Sequence, residues 1–330
     1  MHLIKGLAAT TLLLLNTVVL ASTLMLLSLV RALLPGRRLR YRLARRINGL
    51  LDAWVTLNGA WIRGLGIMQI TADFDLAEEL DPQRWYLIVA NHQAWSDILV
   101  LQDVLLRRVS PIKFFVKRPL IWLPFVGIGM WVLGFPFLRR YNQKQLAANP
   151  RLREHDRQTT QRACAAFRDH PTSVLNFLEG TRFTQDKHDS QGSPYRHLLK
   201  PKTGGVAYAM EGLGDQIHQL VDLTIVYPDG APSFWHFLCG RCPRAHVLVR
   251  ASTLSPTLIE AASQLDDGGR ERLQTWINDL WQRKDRQIDQ AVQTFALDRA
   301  GSPDPADPEH NQPSEPAHND LQDNGHGPRH

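Results

Sequence analysis

One arrangement of residues in this chain could move a proton on a substrate. Trp85-Tyr86-Leu87-Ile88-Val89-Ala90 reads as a buried strand and runs directly into Asn91-His92-Gln93-Ala94-Trp95-Ser96-Asp97. Polar side chains that follow a buried strand so abruptly stand at its C-terminal edge, where open α/β sheets bind ligands. On one continuous helix, residues five apart are separated by about 140°. His92 and Asp97 therefore meet only if His92 stands in the turn and a helix begins around Ser96. Asp97 then falls in the first turn, where the helix dipole favours a carboxylate. A carboxylate beside an imidazole orients the ring and stabilises the imidazolium, and the ring can serve as general base on a hydroxyl. The sequence holds no G-x-S-x-G, so no serine nucleophile is evident. By themselves, a His and an Asp at this spacing mean little and more often form a buried structural pair.

Three further blocks follow in order. Gly134-Phe135-Pro136-Phe137-Leu138-Arg139-Arg140 closes a long apolar stretch. Asn176-Phe177-Leu178-Glu179-Gly180-Thr181-Arg182 ends another strand, and Val221 to Pro228 is a buried strand stopped by a proline. With Asn91-His92 through Asp97, these resemble the four sequence blocks of the glycerolipid acyltransferases, which include 1-acylglycerol-3-phosphate and other lysophospholipid acyltransferases. The first and third blocks are specific in combination. The second keeps Gly134, Phe137 and Arg140, but has Arg139 where an Asp or Asn is common, and Pro136 inside. The fourth is loose, with Tyr227 before Pro228. Leu199 to Gly205 and the Trp276–Asp285 helix further resemble the branch near the animal lysophosphatidate and lysophosphatidylglycerol enzymes.

The resemblance implies acyl transfer from a thioester, acyl-CoA or acyl carrier protein, to a glycerol hydroxyl. His92 would be the base and Asp97 its orienter. A thioester is already activated, so the scheme calls for no cofactor and no metal. Family analogy assigns Arg140 and Glu179-Gly180-Thr181-Arg182 to the acceptor's phosphate, for which the arginine fork is suited. Glu179 is better placed to orient Arg182 or the loop than to touch an anion. Lys200 and Lys202 can add positive field or be plain surface lysines. The favoured acceptor is 1-acylglycerol-3-phosphate, giving phosphatidate; lysophosphatidylglycerol and other lysophospholipids are the alternatives, and a CoA-independent transacylase shares the same blocks. From another class, a basic lipid-binding membrane scaffold without catalysis fits the charge.

Those residues need a frame. Short apolar runs at Ile67–Ile70, Trp85–Ala90, Lys113–Val116, Ser173–Phe177, Leu220–Val226 and Ala245–Val249 predict strands. Helical patterns at Ser96–Leu106, Gln143–Arg168 and Thr203–Leu213 lie between them, and Arg270–Phe295 predicts an amphipathic helix. The alternation predicts an α/β fold with a single sheet flanked by helices, preceded by an N-terminal membrane helix. The expected domains are an anchor over 1–35, a basic juxtamembrane helix over 36–65, the acyltransferase domain over 66–298 and a disordered tail over 299–330.

Gly6 to Val30 carries no charge, and about 20 apolar residues span a bilayer. Seven arginines, Arg31 to Arg46, follow it. Basic flanks stay cytoplasmic, so the expectation is one crossing, with the amino terminus outside and the domain on the cytoplasmic face of a bacterial inner membrane. A cleaved signal or a re-entrant element are the other readings. Leu120–Leu138 is a second apolar stretch, but its prolines and glycines predict a broken segment packed in the domain or dipped into the interface. It could line a channel for a hydrocarbon chain.

The net charge is +6, and without the acidic residues 301–330 the remainder carries about +11. That suits an anionic surface, here membrane lipid, since no nucleic-acid motif occurs. Three cysteines make no disulfide framework. His236, Cys239, Cys242 and His246 are too compact a run for the usual zinc spacing.

Overall fold

The computed structural model describes residues 1–138, 158, 161–162, 165, 167–264 and 267–301. Most of the expected Gln143–Arg168 helix, Arg140 and nearly all of the expected tail lie outside these residues. Eight strands are seen: β1 (Gln69–Leu76), β2 (Trp85–Ala90), β3 (Ile112–Phe114), β4 (Val116–Lys117), β5 (Phe137–Leu138), β6 (Ser173–Phe177), β7 (Ile217–Val226) and β8 (Arg244–Thr253). Six form one sheet in the order β1-β8-β7-β2-β6-β3, while β4 and β5 pair separately. Every pairing in the main sheet is parallel except β7 with β8. The fold is therefore the expected single sheet flanked by helices.

Burial explains where the sheet was legible. The central strands β2, β6 and β7 are nearly continuous apolar runs covered on both faces. The edge strand β1 alternates instead, with Ile70 and Ala72 half-buried and Gln69, Thr71 and Asp73 outward. An apolar-run search places it too early, on Ile67 and Met68, which are core residues ahead of the strand. Lys113–Val116 is not one strand: β3 joins β6 and β4 joins β5, with Phe115 the step between them. The sheet separates two apolar clusters. One holds Ile88, Val100 and Ile225; the other holds Leu87, Leu220 and Trp281 from the C-terminal helix Asp267–Gly301.

Helix α1 (His2–Leu33) and helix α2 (Arg37–Gly64) pack as a hairpin about Gly36, whose φ of +108° suits only glycine. Asn16 ties them together, donating to Trp54 O at 3.1 Å and to Asn58 Oδ1 at 2.9 Å. Helix α1 is long and apolar enough to cross a membrane. Its start, however, is held by the domain. Lys5 Nζ donates to Gly66 O at 3.0 Å, the His2 ring bonds Cys239 O at 2.9 Å, and Ala9 is wholly buried in the core. A single crossing with the amino terminus outside would put Lys5 and Gly66 on opposite sides of the bilayer and break these contacts. The arrangement seen is a hairpin that leaves the domain and returns to it.

The second apolar stretch is no continuous helix. A 3-10 turn over Arg118–Trp122 leads into helix α4 (Val126–Val132) and then β5. Gly127 permits the fold-back: a Cβ there would run into the carbonyl oxygens of Leu120 and Ile121. Helix α4 rests on α1, with Gly129 set against Ala21 and Leu24. Trp122, Phe125 and Trp131 remain exposed beside the outer face of α1. Gly127→Ala should lower stability by roughly 1–3 kcal/mol through overpacking against rigid backbone. The thermal midpoint of the detergent-solubilised protein checks this, and an unchanged midpoint would contradict the fold-back.

Candidate active site

The C-terminal ends of three adjacent parallel strands, β7, β2 and β6, carry the site. Where β2 ends, Asn91 continues the ladder with its side chain. Its Nδ2 donates to Ile225 O at 2.9 Å, and its Oδ1 accepts from Ile225 N at 2.8 Å. A side-chain amide thus substitutes for one more peptide, and the main chain is free to turn away. His92 stands in that turn, and helix α3 (Asp97–Leu105) begins after Ser96. Asp97 takes the first helical position, as the spacing requires.

The His92 ring bonds Asp97 through Nδ1 at 2.8 Å from Oδ2. The same Oδ2 accepts the backbone N–H groups of Gln93 at 2.7 Å and Ala94 at 3.0 Å. Oδ1 accepts the Tyr227 hydroxyl at 2.7 Å. Asp97 is fully buried, and four donors offset the loss of water. Burial, then the nearby Asp97 charge, holds the Tyr227 hydroxyl well above the ordinary tyrosine range, so it remains a donor. With Nδ1–H committed to Asp97, the neutral ring keeps Nε2 as its proton acceptor. The ring face stacks on Phe177 of β6, centroids 4.1 Å apart and planes at 21°. Only 16% of the His92 side chain is exposed, so the ring is fixed but reachable.

Glu179 plays a different part from the one the resemblance assigns. It is fully buried, so it cannot line a substrate subsite. Its Oε1 accepts His92 N–H at 2.8 Å and its Oε2 accepts Leu199 N–H at 3.1 Å. It joins the turn that carries His92 to the loop before Thr203, rather than bracing Arg182. Burial pushes its carboxyl up to about 8, against the pull of those two N–H donors. A second strut fixes the same turn, Phe183 N–H donating to His92 O at 2.7 Å.

The rest of the third block forms a cationic rim. The Arg182 guanidinium lies over the half-exposed Trp95 ring, 4.5 Å from its centroid, and forms no ion pair with a carboxylate among the described residues. Gly180 has φ +68°, and a Cβ there would stand 3.2 Å from Lys202 Nζ, so this glycine lets the ammonium approach the loop. Thr181 Oγ1 and Arg182 O both accept from Lys187 Nζ at 2.9 Å. Lys187 was missed by sequence reasoning; its one signal is a lysine near the start of the helix Gln185–Gln191. Tyr227 was noted only as the residue before Pro228, and its hydroxyl role depends on β7 lying beside β2. The exposed Lys200 side chain makes no hydrogen bond or ion pair with described residues and is not drawn into this cluster. The compact His/Cys run is structural: the His246 ring bonds Thr71 Oγ1 and Asp73, and Cys242 donates to Gly230 O.

A six-stranded mixed sheet with a buried-carboxylate-backed histidine at its strand ends defines the class. The fold is that of the crystal structure of the 1-acyl-sn-glycerophosphate (LPA) acyltransferase PlsC from Thermotoga maritima, with TM-score 0.52 over 88% of this chain and 98% of that one, at 15% identity. Residues 73–228 match the family described as Acyltransferase. An uncharacterized acyltransferase of Schizosaccharomyces pombe is 24% identical over 230 residues, covering 63% of this chain and 60% of that protein. The human 1-acyl-sn-glycerol-3-phosphate acyltransferase delta is 26% identical over 212 residues, 60% of this chain and 51% of its own length. The Arabidopsis thaliana 1-acyl-sn-glycerol-3-phosphate acyltransferase 3 is 25% identical over 227 residues, 64% and 54% of the two chains. The chain thus spans between about half and three fifths of the length of these curated relatives.

Because the folded state holds the Glu179 proton up to about 8, and an unfolded glutamate loses it near 4.3, stability should fall as pH rises across that window. Glu179→Gln should remove this slope. It should also lower stability at pH 5 by roughly 1–3 kcal/mol, since its amide N–H₂ must face a backbone N–H. Denaturant midpoints at several pH values check both, and a variant that keeps the wild-type slope would contradict the assignment.

Proposed function

We propose that the protein is a membrane-bound acyltransferase that moves a fatty acyl group from a thioester to the free hydroxyl of a lysophospholipid, 1-acylglycerol-3-phosphate being the favoured acceptor. The observation that carries this is the 2.8 Å His92–Asp97 bond at the mouth of the strand edge, beside an arginine with no carboxylate partner among the described residues. His92 Nε2 takes the hydroxyl proton as the oxygen attacks the thioester carbonyl. The tetrahedral adduct collapses, the carbon–sulfur bond breaks, and the imidazolium returns the proton to the departing thiolate. Asp97 keeps the ring in the required tautomer and stabilises its charged form. The donor is acyl-CoA or acyl carrier protein, and no resident cofactor is needed because the thioester is already activated. Arg182, with Lys202 beside it, would hold the acceptor's phosphate, and Arg140 is proposed to join them.

Membrane attachment fits the same reading. The apolar outer face of α1 continues into the exposed Trp122, Phe125 and Trp131. Arg38, Arg40 and Arg42 on α2 and Lys117-Arg118 flank it with positive charge that anionic headgroups attract. Entry of this surface into one leaflet, from the cytoplasmic side, keeps Lys5 on Gly66. It brings the active site to its lipid substrates without sending the arginines through the bilayer. Trp122→Ser with Trp131→Ser should weaken co-sedimentation with phosphatidylglycerol vesicles several-fold while leaving turnover of a detergent-dispersed acceptor intact; equal vesicle binding would remove these rings from the interface.

His92→Ala should lower kcat by about 10²–10⁴-fold with little change in acceptor KM. Arg182→Ala should do the reverse, raising KM by about 10–150-fold, the value of a charge-assisted bond of roughly 1.5–3 kcal/mol, and only for acceptors bearing the phosphate. Thiol release is measured with an acceptor pair differing in that group. Near-normal turnover by His92→Ala would refute the base, and equal losses on both acceptors for Arg182→Ala would refute the clamp.

A further inference from the structure

We propose that the helix Asp267–Gly301, which lies beyond the family-matched segment, is part of the active-site apparatus: Trp281, Lys284 and Asp285 are positioning residues that fix the 195–202 loop and the Glu179 carboxylate, and through them His92. Positions 281, 284 and 285 share one face of a helix, and that face is turned to the site. Trp281 Nε1 donates to Leu199 O at 2.9 Å, while Glu179 accepts from Leu199 N–H, so one residue is clamped through both of its backbone groups. Asp285 caps the same loop with both oxygens, Oδ2 accepting Arg196 N–H at 2.9 Å and Oδ1 accepting His197 N–H at 2.8 Å.

Lys284 works from the core side. It is wholly buried inside the apolar stripe of its helix. There its ammonium meets Asp222 Oδ1, Leu223 O at 2.7 Å and Thr224 Oγ1 at 2.9 Å, all on β7. An ammonium without water is tolerated only when paired and hydrogen-bonded. Three acceptors on the strand next to β2 satisfy it, and its positive charge also favours the ionised form of Glu179. A hydrophobic residue at 284 would pack the helix at least as simply. The buried cation therefore points to a task beyond packing.

The test rests on the acyltransferase reading for its kinetic arm and is independent of it for its exchange arm. Three full-length variants are compared: Asp285→Asn, the paired Lys284→Met/Asp222→Asn, and Gln282→Ala at an exposed position of the same helix. The pair is changed together so that no charge is left buried alone. Asp285→Asn should speed amide exchange at Arg196, His197 and Leu199 and raise acceptor KM about tenfold, with kcat little changed. Asp285→Glu, which keeps two acceptor oxygens, should recover part of that loss. The Lys284/Asp222 pair should lower kcat by about 10–100-fold, as expected when a reacting group is slightly misplaced, with KM little changed. Gln282→Ala should behave as wild type. A fall in thermal midpoint with unchanged kcat and KM in the folded fraction would reduce the helix to packing and overturn the inference. Wild-type protein that releases no thiol would sink the acyltransferase reading alone; exchange at Arg196 and His197 unchanged by Asp285→Asn would then still overturn this one.

Discussion

Taking a carboxylate out of water costs several kcal/mol unless donors replace what the water supplied. This protein buries Asp97, Glu179 and Asp222 around the same three strands. Asp97 is satisfied by the turn it sits beneath and by Tyr227. Glu179 is satisfied by the backbone on either side of it, and Asp222 by Lys284. Each solution demands that some other segment be in a fixed place. The polar groups under His92 thus act as a set of geometric requirements, and the turn at 91–97 can meet them in one way.

Sheet order is what brings the donors together. Because β2 lies between β7 and β6 with all three parallel, their C-terminal ends open on one edge. β4 and β5, the latter within the second block, pair with each other outside the main sheet. The antiparallel return of β8 then carries the chain back to the C-terminal helix, whose Trp281 face closes the opposite side of the sheet. The turn that carries His92 is tied to neighbouring loops through Glu179 and Phe183, and Leu199 at the far end of that tie is held in turn by Trp281, about 190 residues later in the chain.

The apolar hairpin follows a separate logic. Helix α1 is mostly aliphatic, and many of its large apolar side chains are left uncovered by the domain as one exposed face. Its first turns are committed to the domain core through Ala9 and Lys5. Together with the folded 118–132 segment, its outer face makes one apolar surface beside a basic helix. Charge counting predicted a straight crossing because it weighs the arginines alone; it has no term for a contact between residues 5 and 66.

What the sequence determined by itself was local. It determined the strands buried on both faces, because β2, β6 and β7 are continuous apolar runs. It determined the start of α3 at Asp97, because a His and an Asp five apart can meet only across a turn. The extent of α2 was legible for a similarly local reason. Its block order was enough to nominate His92, Asp97, Gly180, Thr181 and Arg182. The tertiary structure decided everything that depends on which strands become neighbours. It gave Glu179, read from sequence as orienting Arg182 or its loop, its actual partners, since only the folded chain brings the N–H groups of His92 and Leu199 to its two oxygens. It made Tyr227 the second support of Asp97 and placed Lys284 under the site. A residue's partner across a parallel sheet is set by loop closure and packing over tens to hundreds of residues, and no periodicity within its own segment encodes it.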